Sequence, residues 1–152
     1  MRIVFVIGPP GAGKSTYVKR NFPDADAVDL YDFQENCSTV ADVAKSYDEA
    51  EEALREALKR SLEKERRGED GGTVVLEHTL LKAKRRPQYV DAVRSLTDAP
   101  IEIHVVCPSR EEYARRCRKK GLFSGPFESY EAYDMLETPK ENEGFSKITF
   151  VE

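Results

Sequence analysis

Residues 4–17 read VFVIGPPGAGKSTY, and the fold turns on how this stretch is read. The run Ile3–Ile7 is apolar and rich in β-branched residues, the pattern of a strand buried on both faces. Gly8 to Ser15 then follows GxxxxGK[ST] in full, and a helix is expected over Lys14 to about Asn21, ended by Phe22-Pro23. A glycine-rich loop between a strand and a helix lets backbone N–H groups and the helix N-terminus converge on negative charge. Gly11, Ala12, Gly13, Lys14, Ser15 and Thr16 are therefore the candidate nucleotide-binding residues. Lys14 is expected at the β- and γ-phosphates of ATP, and the Ser15 hydroxyl on Mg²⁺.

Downstream, apolar strands alternate with helical patterns. Short strands are expected over 26–30 (DAVDL), 73–77 (TVVLE), 101–106 (IEIHVV) and 147–151 (KITFV). A long helix is expected over 46–67, with Leu54, Leu58 and Leu62 on one face. Its wet side offers the i,i+4 pairs Glu51/Arg55, Glu56/Arg60 and Glu63/Arg67. Further helices are expected over 84–96, 109–120 and 128–136. Such alternation predicts an α/β fold, a parallel sheet covered on both faces, as one domain over 1–152. His104, inside an apolar strand, reads as a packed core residue.

At 152 residues, 39% hydrophobic and 34% charged, the composition is that of a globular chain. No apolar run reaches membrane-spanning length, and no signal-peptide layout precedes the glycine loop. Cys37, Cys107 and Cys117 have neither metal nor disulfide spacing, so free thiols and a cytoplasmic location are expected. A net charge of −4 argues against non-specific coating of nucleic acid. Basic residues nevertheless cluster at Lys82, Lys84, Arg85 and Arg86, and again from Arg110 to Lys120. Solvated helix faces would account for both clusters equally simply.

The glycine loop leaves open where the terminal phosphate goes. The Asn-Lys-x-Asp base-reading motif of a Ras-type GTPase is absent, and strand 3 ends in VVLEHT rather than in paired acids. AVDLYDFQ places Asp29 and Asp32 at the C-terminal end of strand 2, where ligands collect in a parallel sheet. Either could accept the proton of an attacking hydroxyl, Asp32 being preferred because it lies outside the strand, or the two could merely end a strand and cap a turn. On the helix at 109–120, Arg115, Arg116 and Arg118 cannot all face solvent, so at least one turns inward. With the glycine-containing segment that follows, residues 109–127 have the make-up of a closing lid.

Taken with the tail, these features resemble the kinase domain of the polynucleotide 5′-hydroxyl kinases and their small relatives, including zeta-toxin-like kinases. GPPGAGKSTYVKRNF looks like their opening, ARRCRKKG is similar to their basic lid, and ETPKENEGFSKITFV resembles their ending. The resemblance implies a three-layer αβα P-loop fold whose five-stranded sheet runs in the order 2-3-1-4-5. It also implies ATP and Mg²⁺ as cofactors, a hydroxyl acceptor, and catalytic roles for Lys14, Arg116, Lys120 and Asp29 or Asp32. The acceptor it implies is a polynucleotide 5′-end, with a nucleotide or sugar-nucleotide next, and a slowly hydrolysing regulatory module is the reading from another class. The departures lie on the acceptor side. The family carries Asn-Arg-Asp where this chain has Asp29-Leu30-Tyr31-Asp32, and direct alignment puts Tyr31 on the catalytic aspartate. Gln34 replaces an arginine for the acceptor phosphate, and Glu77-His78-Thr79 is closer to zeta toxins. Gln34, Glu77, His78, Thr79 and Arg86 are the candidate acceptor-binding residues.

Overall fold

The computed structural model describes residues 1–123 and 129–152. Five strands, β1 (Arg2–Ile7), β2 (Asp26–Asp29), β3 (Thr73–Glu77), β4 (Ile101–Val106) and β5 (Lys147–Val151), form one parallel sheet in the order β2-β3-β1-β4-β5. The helices are α1 (Lys14–Asn21), α2 (Val40–Arg66), α3 (Pro87–Arg94), α4 (Arg110–Lys119) and the short α5 (Glu131–Asp134). Side chains on β1 alternate between the faces of the sheet. Ile3, Phe5 and Ile7 pack with Leu54 and Leu58 of α2 and Val90 and Val93 of α3. Val4 and Val6 face the other way, onto Val18 of α1 and Tyr113, Ala114 and Cys117 of α4. The result is a helix–sheet–helix sandwich with β1 in its middle, which carries the glycine loop out at the sheet's C-terminal edge.

Helix α2 begins six residues before the predicted start, at Val40 rather than Ser46. Thr39 and Asp42 form a reciprocal capping box there, and Val40 is 88% exposed, so the first turns have no apolar stripe to betray them. Glu51 and Arg55 pair as expected, whereas Arg60 reaches across to Asp26 and Glu56 takes Lys59. Glu63 pairs with Arg66, and Arg67 with Glu69. The helix predicted over 84–96 is divided: a 3₁₀ turn over Ala83–Arg85 precedes α3, whose first residue is Pro87. Proline suits that position, because the first helical N–H would lack a partner anyway.

His104 is packed as predicted, its ring against Tyr17 and Phe22, with Nδ1 2.7 Å from the Tyr17 hydroxyl. Beside it, Arg2 Nε donates to Glu102 at 2.7 Å, and this bond holds the Glu102 carboxyl down at about 2. Glu102 then stabilises the fold above its ordinary pKa of 4.5, and that contribution is lost as pH falls toward 2. Glu102→Gln should therefore be less stable to urea than wild type near neutral pH, with the gap closing under acid. A gap independent of pH would assign no stabilisation to this pair.

Candidate functional site

The glycine loop wraps from the end of β1 to α1, and Gly13 caps the helix at φ 106°, in the left-handed region. A side chain at Gly13 would also bring its Cβ to 3.0 Å from Arg116 Nη1. Lys14 is 4% exposed and folds back along the loop, donating to the carbonyls of Gly8 at 2.9 Å and Pro9 at 3.1 Å. Its ammonium lies 5.9 Å from the centre of the Tyr31 ring. Burial lowers the lysine to about 8, against the pull of Glu77 and Asp29, and Lys120 lowers it further.

β2 and β3 end side by side, with Asp29 in register with Glu77. Ser15 Oγ donates to Glu77 at 3.1 Å, and Asp29 accepts the Tyr31 N–H at 3.0 Å. Burial, a hydrogen bond to Asp29 and the charge of Asp29 raise the Glu77 carboxyl well above the usual range, opposed by the Ser15 hydroxyl and Lys14. The carboxylates acting on Lys14 are thus Glu77 and Asp29. Asp32 is exposed; it lies with Glu35, Asn36 and Lys45 around a depression of about 320 Å³ beside α2, and shares with Asp29 a second depression of about 280 Å³ lined also by Ala53 and Arg60.

Helix α4 lies against the loop. Arg116 Nη1 donates to the Ala12 carbonyl, and its Nε holds Glu112 at 3.0 Å. The Tyr113 hydroxyl donates to the Pro10 carbonyl at 2.7 Å. Arg116 is therefore the inward-turned arginine, while Arg115 and Arg118 are exposed. A cleft of about 750 Å³ opens beside the loop, lined by Gly13, Thr16, Tyr17, Val106, Arg116 and Lys120. The segment predicted to hinge the lid, 121–127, lies partly outside the described residues.

Two predicted acceptor ligands prove to be internal supports. Arg86 is 0% exposed: its guanidinium pairs with Glu143 at 3.0 Å and donates to the carbonyls of Leu80, Leu81 and Glu137. With that set of partners it is committed to joining the β3–α3 connection to the C-terminal tail. His78 is 2% exposed, and its Nδ1 accepts the Leu80 N–H at 3.1 Å. Its Nε2 therefore carries the proton, donating to Tyr89, whose hydroxyl passes on to the Tyr47 carbonyl. Burial, then Lys14, pushes the imidazole down to about 3. Gln34 turns to Ser46 of α2 at 3.2 Å, and the Thr79 carbonyl accepts the Gly8 N–H at 3.3 Å. Tyr47 and Tyr113 belong to no motif, yet both stand around this edge with Tyr31, the residue that aligns with the catalytic aspartate of the resembled family.

A nucleotide-binding glycine loop on a parallel 2-3-1-4-5 sheet, with a basic helix laid across it, is the fold of the P-loop kinases. The family described as an AAA domain matches residues 3–132, and the chain belongs to that family. No curated protein matches the sequence. Among solved structures, a gluconokinase from Sinorhizobium meliloti aligns over 99% of this chain and 81% of its own, at 14% identity and a TM-score of 0.63. A sugar kinase from a Janibacter species aligns over 99% and 85%, at 15% identity and a TM-score of 0.57. The tunicamycin resistance protein of Deinococcus radiodurans aligns over 97% and 85%, at 13% identity and a TM-score of 0.58. At such identities the likeness is one of fold. Among the described residues no helix is long and apolar enough to cross a membrane.

Proposed function

We propose that this protein is an ATP-dependent kinase that phosphorylates a hydroxyl of a small molecule. The observation that carries the reading is the pairing of Asp29 with Glu77 at adjoining strand ends, opposite Lys14 and within reach of Ser15. The acceptor's oxygen attacks the γ-phosphorus, the bond to the β–γ bridging oxygen breaks, ADP leaves, and the hydroxyl proton passes to Asp29. Lys14 exchanges its two loop carbonyls for phosphate oxygens. Ser15 and Glu77 are hard oxygen donors suited to Mg²⁺, which when bound neutralises phosphate charge. Arg116 and Lys120 face the transferring group from α4.

A small acceptor is favoured over a polynucleotide 5′-end for two reasons. Two similar folds are named for sugar or gluconate substrates. Gln34, which stands in place of the family's acceptor-phosphate arginine, is spent on Ser46. The polynucleotide reading keeps the support of the lid and tail motifs. Incubating the protein with labelled ATP and separate pools of sugars, nucleosides, nucleotides, RNA and DNA tests both. ADP formed without any acceptor dependence would point instead to a regulatory ATPase module.

Arg116→Ala should lower the single-turnover rate about 10²-fold, as loss of a donor aimed at developing charge does. ATP affinity should change far less, because that charge is greater in the transition state than in bound ATP. Lys120→Ala should be milder, since an ammonium lacks the bidentate fork. If Arg116→Ala weakens ATP binding and spares the rate, the arginine is a ground-state clamp.

A further inference from the structure

Resting on the kinase reading and naming its acceptor class, we infer that Arg85, beyond a pair of tyrosines, receives an anionic group at the far end of a small hydroxylated acceptor. The line starts at the proposed catalytic edge. Tyr31, 41% exposed, has its ring over the Lys14 ammonium. Its phenol is pushed up to about 12 by burial, by Asp29 and Glu77, and by Tyr47 beyond them. Tyr47 packs its ring on His78 at 5.0 Å, and the Arg85 guanidinium sits over the same Tyr47 ring at 5.7 Å. Asp29, Tyr31, Tyr47 and Arg85 thus follow one another along the C-terminal edge of the sheet.

Arg85 is exposed, and neither it nor its neighbours Lys82 and Lys84 pairs with a described carboxylate. Among the arginines this sets Arg85 apart from the majority, its neighbour Arg86 included, which have a carboxylate within ion-pair distance. The segment that presents them is firmly built. Leu80, buried, holds φ 39°, a left-handed conformation that costs a branched residue free energy and persists only where its surroundings enforce it. Buried Arg86 bonds the carbonyls of Leu80 itself and of Leu81, and the Ala83 N–H is held by Glu137 at 3.1 Å. Tyr47 is fixed in turn by the Tyr89 hydroxyl on its carbonyl. A guanidinium stacked on an aromatic ring, without a protein carboxylate, is poised for a planar or tetrahedral oxyanion. The shared chemistry is a carboxylate or a phosphate.

The test is acceptor-dependent ADP formation with three arms: gluconate and glucuronate for carboxylates, a hexose monophosphate and cytidine monophosphate for phosphates, glucose and adenosine as uncharged controls. ATP affinity is measured separately. We expect phosphorylation in one anionic arm and little in the uncharged one. Arg85→Gln should raise KM for that acceptor about 10- to 100-fold, the loss of a charge-assisted contact, with kcat and ATP affinity nearly unchanged. Arg85→Lys should recover part of it. Uncharged acceptors used as well as anionic ones, or an Arg85→Gln KM equal to wild type, would overturn the inference while leaving the kinase standing. Tight ATP binding with no transfer in any arm would remove the kinase reading, and this inference with it.

Discussion

Lys14→Ala is expected to lower phosphoryl transfer by at least about 10³-fold, the range for losing a group aimed at transition-state charge in a water-poor site. The structure adds a second consequence. Lys14 is not held for phosphate alone, because its ammonium satisfies the carbonyls of Gly8 and Pro9. Truncation leaves both without that partner, at about 1–3 kcal/mol, so the variant should also melt several degrees lower. The buried amine carries a linkage signature as well. Its pKa is about 8 in the fold against 10.5 in an exposed chain, so above pH 8 the unfolded state binds the proton more tightly. Wild-type stability without nucleotide should therefore rise between those values, and Lys14→Ala should lose that rise. Turnover and melting temperature across that pH range measure both effects, and near-normal turnover would sink the kinase reading.

Four of the five strands were legible to the residue at their C-terminal ends, because VFVI, TVVLE, IEIHVV and KITFV are unbroken β-rich runs between polar stops. The glycine loop was legible because its chemistry lies in consecutive residues. The strand order was not readable from periodicity and came only with the resemblance. Elsewhere the sequence misleads for a physical reason: a polar side chain looks the same whether water or protein satisfies it. His78 and Arg86 read as ligands until their partners are seen to be Tyr89, Leu80, Glu143 and three backbone carbonyls. The converse holds for Tyr47. An aromatic residue on a helix carries no motif, and only tertiary packing sets it beside His78 and Arg85.

Asp29→Asn is expected to lower kcat by about 10²- to 10⁴-fold, the span for removing a positioned general base. Asp32→Asn should stay within about 2-fold of wild type. The two acids are three residues apart, and what separates them is where β2 ends. Asp29 is its last residue, in register with Glu77, while Asp32 has passed into the 3₁₀ turn over Leu30–Phe33 and is exposed. Asparagine keeps the oxygen that accepts the Tyr31 N–H, so the turn and the fold should survive. What it cannot do is take a proton. ATP affinity should hold, since Lys14 and the loop are untouched, and the loss should appear in kcat and in single-turnover rate. Removing the Asp29 charge should also let the Glu77 carboxyl fall toward its ordinary range, because Asp29 is one of the influences that hold it up. Should Asp32→Asn carry the loss while Asp29→Asn turns over normally, the proton acceptor lies on the outer side of the turn and the assignment built on strand register fails.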